Sequence, residues 1–574
     1  MKEKRDDHKQ FVKRLHAVFW FVVFIGFVLV TNLFYIQVRN GDDFRSQADG
    51  QYVVSSNNIF KRGDILFQQR DGSLIAAATQ KKGYKITINP QKIQDPERVY
   101  DMLSQYIESD KESFLEQARN QKKTYIEIVR QVDKETGEAL KKDIGDDIQI
   151  YPEFWRVYPL QSSASHVLGF LGYQGDDFAG RYGLERSFED TLKRTDTDLY
   201  KNFFARIFHD VQNFIDTDYE QAGDIITTID PQIQLFFEQQ LSSVQEKWDP
   251  SSVGGIIMNP KTGEIYSMAA YPNFNNNDFG ESNLAYFKNP LVENAHEMGS
   301  IIKPLVVATA LDQGLITADT RYFDQGFVEV GPHTIHNFDN KGRGWVTMED
   351  VLNQSLNTGM VFISKKIPKE TFREYFKNYG LGEKTGIDLP NESQGLAQNL
   401  KSNRDIEFAN ISFGQGIAIS PISVTKALSS LGNGGLSVTP HIVKRIEYTN
   451  GFSKDIVYEN QSRVLKPETS EEITRILVGV FDSYSSGVYK FENYRVAAKT
   501  GTAQIPNPNG GYYSDRNLHS FFGYFPAYDP QFIVFLYTVY PKNIKYASQT
   551  LIEPFRETAK YLINYYEVPP DRAI

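Results

Sequence analysis

Cysteine is absent from the sequence, which excludes disulfides, thiolate catalysis and Cys-ligated zinc. The redox compartment stays open, since exported proteins without disulfides are not unusual. Also missing is any long basic run beyond the N-terminus, and the formal net charge is −10, which argues against a nucleic-acid partner. Nine histidines are scattered along the chain with no G-x-S-x-G elbow among them, so a Ser-His-Asp hydrolase has little support. Internal repeats and low-complexity segments are likewise absent. What is present is globular: 40% apolar and 23% charged residues over 574 positions, enough for about two or three domains with sizeable cores.

One apolar run is long enough to cross a membrane. Residues 17–36, AVFWFVVFIGFVLVTNLFYI, carry no charge and reach across a ~30 Å hydrocarbon core as a helix. A cleaved signal peptide is the alternative, but no small-x-small site follows in LFYIQVRNG. Lys2, Lys4, Arg5, Lys9, Lys13 and Arg14 precede the run, and the positive-inside rule places them in the cytoplasm. The expectation is a cytoplasmic tail over 1–16, a single-pass signal anchor in the cell membrane over 17–38, and an extracytoplasmic remainder.

Beyond the anchor, residues 39–225 read as one polar, mixed domain and residues 226–574 as a second. The first has an extended stretch at QYVVSSNNIF and a charged helical stretch through PERVYDMLSQYIESDKESFLEQARNQ. RGDILFQQRDGSLIA reads as a hairpin around its Asp-Gly; its Arg-Gly-Asp invites an adhesion reading that a tripeptide is too short to carry. Asp230 and Pro231 open a helix near the boundary. VGGIIMNPKTGEIYSMAAYP then reads as strand, turn, strand, and IIKPLVVATALDQG as a helix ending in Gly. SFFGYFPA and QFIVFLYTVY read as strands, with a last helix over about 549–566. Neighbouring strands among helices predict an α/β (α+β) fold in which helices cover an antiparallel sheet. His333-Thr-Ile-His336 resembles a metal pair without further ligands nearby, so a surface loop is the better expectation.

With no histidine triad, a lysine base becomes the search. Ser300 and Lys303 in GSIIKP are three apart, so on a helix the amine shares a face with the hydroxyl. The motif is cheap: Ser423-Val-Thr-Lys426 repeats it, Lys-Thr-Gly triplets start at Lys261, Lys384 and Lys499, and S-x-N occurs near Ser55 and at Ser355-Leu-Asn357. Order separates signal from chance. Ser300-x-x-Lys303, then Ser355-x-Asn357, then Lys499-Thr500-Gly501-Thr502 follow the succession found in penicillin-recognising serine enzymes. Ser423 comes after the S-x-N element and lies on an apolar-periodic stretch that reads as a core helix.

At this point the chain resembles the class B, monofunctional penicillin-binding proteins, most closely the division-type peptidoglycan D,D-transpeptidases. The resemblance extends to RGDILFQQRDGSLIA, RVYPLQSSASHVLGF, GRYGLERSFED, MNPKTGEIYSMAAYPNFNNN and FGQGIAISP, so nearly everything after residue 40 is covered. It implies an N-terminal transmembrane helix, an elongated pedestal of the dimerisation type and a penicillin-binding transpeptidase domain. It implies Ser300 as the acylated nucleophile, Lys303 as its base, Ser355 as a proton relay, and Asn357 as a partner of Lys303 and of the substrate amide. Lys499, Thr500 and Thr502 would hold the terminal carboxylate, with Gly501 leaving room for a peptide along the strand, and the N–H groups of Ser300 and Thr502 would form the oxyanion hole. A free lysine is mostly charged at neutral pH, so Lys303 must be buried or near another cation, for which Lys499 is the neighbour to expect. One departure is Ile301-Ile302, where the family more often has Thr and an apolar residue.

The resemblance implies stem peptides ending in D-Ala-D-Ala and β-lactams as ligands, and neither cofactor nor metal. No glycosyltransferase signature lies before residue 225, so a separate membrane glycosyltransferase and division or elongation proteins are the implied partners. A D,D-carboxypeptidase and a β-lactamase are the competing enzymes, disfavoured by the pedestal and anchor. A catalytically weak division scaffold is the competing non-enzyme, while a β-lactam sensor would need more than one span.

Overall fold

The computed structural model describes residues 61–144, 147–174, 177–194, 222–280, 282–458 and 462–572, together with Trp20 and residues 23–26. The anchor expected at 17–38 and the extended stretch at 51–60 lie outside them, save those five positions. Among the described residues no helix is long and apolar enough to cross a membrane. By contact the chain forms two units: Gln80–Trp155 belongs to one, and Arg62–Thr79 with everything from Arg156 onward belongs to the other.

The smaller unit packs short helices on strands around Ile86, Ile88, Val99, Leu103, Phe114 and Leu140. The charged stretch expected to be helical is two helices, Pro96–Leu103 and Lys111–Ala118. Each starts where an aspartate accepts a backbone N–H of the first turn, Asp95 from Arg98 and Asp110 from Ser113. The second cap is what divides the segment.

In the larger unit, Ile65–Gln68 pairs antiparallel with the strand starting at Leu74, around a turn in which the Asp71 carboxylate accepts the Ser73 N–H. Arg62, the first residue of the Arg-Gly-Asp, is buried. Its guanidinium donates to Glu185 Oε2 at 2.6 Å and to the Glu185 carbonyl, and meets Glu189 at 2.8 Å. Arg156 donates to Glu185 Oε1 at 2.7 Å and to the Gly63 carbonyl, and the Tyr158 hydroxyl adds a bond at 3.2 Å. An adhesion role for this tripeptide is therefore closed by burial. Burial alone would raise the Glu185 carboxyl, but Arg156 and Arg62 outweigh it and hold it below its ordinary value. Glu185→Ala would leave two buried guanidiniums without their shared counter-ion, at about 3–5 kcal/mol, read as a loss of unfolding free energy in chemical denaturation. The depressed carboxyl stabilises the fold above its unfolded-state pKa, and that contribution is lost as pH falls through the folded value.

The same unit is built on a five-stranded antiparallel sheet. Its strands are β1 (Ser252–Met258), β2 (Ile265–Tyr271), β3 (Ala497–Pro506), β4 (Tyr512–Phe525) and β5 (Phe532–Val539), in spatial order β2-β1-β5-β4-β3. Side chains alternate across the pleat. Val253, Ile257 and Phe521 pack on one face with Phe237 of helix α1 (Pro231–Trp248) and Phe555 of a C-terminal helix, Ile552–Tyr566. Ile256, Met258, Phe522 and Tyr524 pack on the other face with Met298, Ile301 and Leu305. Because helices cover both faces, the end of β4 and the whole of β5 read as continuous apolar runs rather than alternating ones. Asp230 caps α1 by accepting from Gln232 and Ile233. The last helix of the sequence reading is two pieces, Ala547–Thr550 and Ile552–Tyr566. Strand β3 is left at the sheet edge, and the candidate site lies there.

Candidate active site

Ser300 sits in a single 3-10 turn, Gly299–Ile302, that runs directly into helix α2 (Lys303–Asp312). Pro304 falls in the first turn of α2, where a missing N–H is tolerated. This phasing buries Ile301, Ile302 and Lys303 completely and leaves Ser300 half-buried, facing a cleft of ≈ 1040 Å³. The departure at Ile301-Ile302 is thus a matter of core packing behind the serine. A glycine contact fixes the turn: Gly299 N–H donates to the Gly414 carbonyl, and a Cβ on Gly414 would stand 2.0 Å from the Gly299 oxygen. That close approach explains the first of these glycines in FGQG.

The Lys303 amine makes three bonds. It donates to the Ser355 carbonyl at 2.6 Å, to Ser355 Oγ at 3.2 Å and to Asn357 Oδ1 at 2.8 Å. Ser355 lies between α3 (Met348–Asn353) and α4 (Asn357–Lys366) with φ +55°, a left-handed conformation unfavourable for a residue with a Cβ. Lys499 of β3 reaches the same hydroxyl at 3.2 Å and also donates to the Thr500 carbonyl at 3.0 Å. One serine hydroxyl therefore bridges two lysine amines. Asn357 completes the ring by donating its Nδ2 to the His336 carbonyl at 3.0 Å.

Both amines are withdrawn from water, Lys303 at 0% and Lys499 at 1% exposure. Burial, and then the charge of Lys499, pushes Lys303 well below the ordinary lysine value. Burial brings Lys499 down to about 7. The sequence-level requirement that Lys303 be buried or near a cation is met in both ways.

At the edge of the sheet, the N–H of Thr500 donates to the Tyr484 hydroxyl at 2.9 Å, so it points away from β4. By the two-residue strand period the Thr502 N–H points the same way. Thr502 Oγ1 accepts from the Ala547 N–H at 3.3 Å. Gly501 does not make room for a peptide. Its side-chain position faces inward, where a Cβ would stand 2.3 Å from Ser520 Oγ and 2.7 Å from the Met298 carbonyl; the glycine lets β3 close on the segment that carries Ser300. Ser300, Ser355, Asn357, Lys499, Thr500 and Thr502 all line the cleft.

Residues 253–558 match the family model for the penicillin binding protein transpeptidase domain, and residues 60–198 match that for the penicillin-binding protein dimerisation domain. The chain belongs to the class B penicillin-binding proteins. It is 30% identical over 554 residues to stage V sporulation protein D of Bacillus subtilis (strain 168), covering 94% of this chain and 84% of that one. It is 26% identical to the peptidoglycan D,D-transpeptidase FtsI homolog of Mesostigma viride, covering 96% of each. Among solved structures, penicillin binding protein 2X from Streptococcus thermophilus superposes with a TM-score of 0.72 at 22% identity, covering 89% of this chain and 81% of that one. Penicillin binding protein 3 from Mycobacterium tuberculosis, complexed with aztreonam, gives 0.67 at 22%, covering 90% and 98%. These two likenesses establish the fold: mixed α/β, with a dimerisation domain and a transpeptidase domain.

The remaining motifs of this penicillin-binding protein fall elsewhere. Ser423 is buried on the helix Pro421–Ser429 and donates to the Gly380 carbonyl, while Lys426 donates to that of Thr385. Lys261 lies in the β1–β2 turn and pairs with Asp529, and Lys384 is in a loop. His333–His336, expected as a loop, is a strand paired with Phe327–Val330; the Gly331-Pro332 between them is the turn that closes the hairpin. Among the described residues no group of three or more His, Asp or Glu gathers as a metal site. Tyr484 belongs to no motif, and His336 was noted only as half of a candidate metal pair, so neither the tyrosine hydroxyl 16 residues before Thr500 nor the carbonyl 21 residues before Asn357 was visible as part of the site.

Proposed function

We propose that the protein crosslinks peptidoglycan by serine D,D-transpeptidation, with β-lactams acylating the same serine. The observation that carries this is the convergence of two buried lysine amines on Ser355 Oγ, in the cleft that Ser300 enters. Neutral Lys303, which keeps two of its three N–H bonds and gains a lone pair, takes the proton of Ser300 as Oγ bonds to the penultimate D-Ala carbonyl carbon. Donors at Ser300 N–H and Thr502 N–H meet the oxyanion. The C–N bond then breaks, and Ser355 passes a proton to the departing D-Ala amine, resupplied from the lysines on either side. Charged Lys499, with Thr500 and Thr502, holds the terminal carboxylate. An acceptor amine attacks the ester in turn, releasing Ser300.

The charge-free run over 17–38 and the basic residues before it support a single-pass anchor that holds the catalytic domain outside the cytoplasm. A membrane glycosyltransferase and division proteins are the partners this placement implies, and a relative named as an FtsI homolog supports a septal setting. The test is incubation of the full-length protein with polymerised, uncrosslinked glycan carrying stem pentapeptides. Crosslinked dimers with release of D-Ala are the expected products. Release of D-Ala without dimers would indicate a carboxypeptidase, and neither product a scaffold.

The two lysines set a pH profile. Acylation per unit free enzyme needs Lys303 neutral and Lys499 charged, so the rate falls on the acid side as Lys303 protonates and on the alkaline side as pH rises through about 7, where Lys499 loses its charge. In Lys499→Arg the guanidinium stays charged. The alkaline limb of kcat/KM should then disappear from the profile, whatever the loss in absolute rate.

A further inference from the structure

Helix α5 (Pro467–Ser483) ends at the cleft, where Ser483 Oγ donates to Asn353 Oδ1 at 2.6 Å. The next residue is Tyr484. Its ring stands edge-on to Phe481, with centroids 5.9 Å apart, and its hydroxyl faces the edge of β3. Immediately after it the chain turns through two successive left-handed serines, Ser485 at φ 49° and Ser486 at φ 55°. Two such residues in a row are held only where surrounding structure dictates them, and Ser485 lines the cleft beside Tyr484.

The hydrogen-bond polarity at Tyr484 is determined. The Thr500 N–H can only donate, so at 2.9 Å the phenol oxygen is its acceptor. The phenol proton is then directed to Thr500 Oγ1, 3.4 Å away. Burial pushes the Tyr484 phenol up to about 12, so it remains a donor throughout the working range of the enzyme. With a donor on its oxygen, the Thr500 hydroxyl has its own proton free for a ligand in the cleft that it lines. The Thr500 carbonyl is meanwhile occupied by the Lys499 amine at 3.0 Å. Both outward backbone groups of Thr500 are thus engaged, and the next outward N–H along β3 is that of Thr502.

We propose that Tyr484 is a positioning residue for carboxylate recognition: it fixes the Thr500 hydroxyl as a donor to the substrate's terminal carboxylate and closes the strand edge at Thr500, so that a bound peptide pairs from Thr502 onward. This rests on the transpeptidase reading above. It assigns to Tyr484 a role exerted through Thr500 and not on the reacting carbonyl.

The test compares acylation of the full-length protein by benzylpenicillin and by its methyl ester, which lacks the carboxylate charge. Tyr484→Phe should lower the second-order rate constant for benzylpenicillin about tenfold, the effect of one hydrogen bond to a charged group, and leave the slower reaction of the ester unchanged. In Thr500→Val, adding Tyr484→Phe should bring no further loss of the difference between benzylpenicillin and its ester, because that preference runs through the threonine hydroxyl. An equal loss with both ligands would mean a merely structural role and overturn the proposal, as would full additivity of the two substitutions. Thermal melting of Tyr484→Phe at the wild-type midpoint keeps the comparison one of folded proteins. A wild-type chain that reacts with neither ligand would overturn the transpeptidase reading itself, and this inference with it.

Discussion

Replacing Ser300 with alanine abolishes covalent labelling by a β-lactam, a loss of at least ~1000-fold, because the acyl bond forms on the Ser300 hydroxyl. Ser355 and Lys499 also line the cleft, but the Ser355 hydroxyl is held between the amines of Lys303 and Lys499, and both amines are engaged with it. The fold should be indifferent to the change, since Ser300 is half-buried at the cleft wall and alanine fits the turn. The other S-x-x-K provides the control. Ser423 is buried among core residues and donates to the Gly380 carbonyl, so Ser423→Ala should label like wild type. Gel fluorescence with a labelled penicillin reads both variants.

Lys303→Met comes next in size. Methionine has nearly the length of lysine and fills irregular space, so α2 and the core behind it should persist. Acylation should fall by about 100- to 10,000-fold, the range for loss of a positioned proton acceptor. Two opposing effects act on stability. The Ser355 carbonyl and Asn357 Oδ1 lose their donor, at about 1–3 kcal/mol each, while removal of a buried amine relieves the desolvation that depresses its pKa. A small net change in melting with a large change in rate is the expected pattern. Lys303→Arg should not restore the rate, because a guanidinium stays protonated and has no lone pair to accept the serine proton.

The parts of this site that were legible in the sequence were those fixed by local spacing or by order. Ser300 and Lys303 share a turn, so their proximity follows from helical geometry alone. Ser355 and Lys499 are 144 residues apart, and only the succession of three motifs joined them; their meeting at one hydroxyl is a product of the sheet edge closing on α2 and the α3–α4 turn. Gly501 was misread because the strand face it occupies depends on the register of β3 against β4, which pairs Gly501 with Ser520. His333–His336 was misread because four-residue strands carry too little alternation to stand out from a loop. Tyr484 carried no signal at all: a tyrosine after an amphipathic helix reads as packing, and its hydroxyl acquires meaning only beside Thr500. The continuous apolar runs at the end of β4 and along β5 were readable as strands, while the helices on both of their faces explain why the runs do not alternate.

The most direct measurement is mass-spectrometric mapping of the acyl-enzyme after brief reaction of the full-length protein with benzylpenicillin. The predicted result is a single adduct on the peptide containing Ser300, absent from Ser300→Ala. An adduct on the peptide containing Ser423, or an intact unmodified chain under conditions where the protein is folded, would contradict the account.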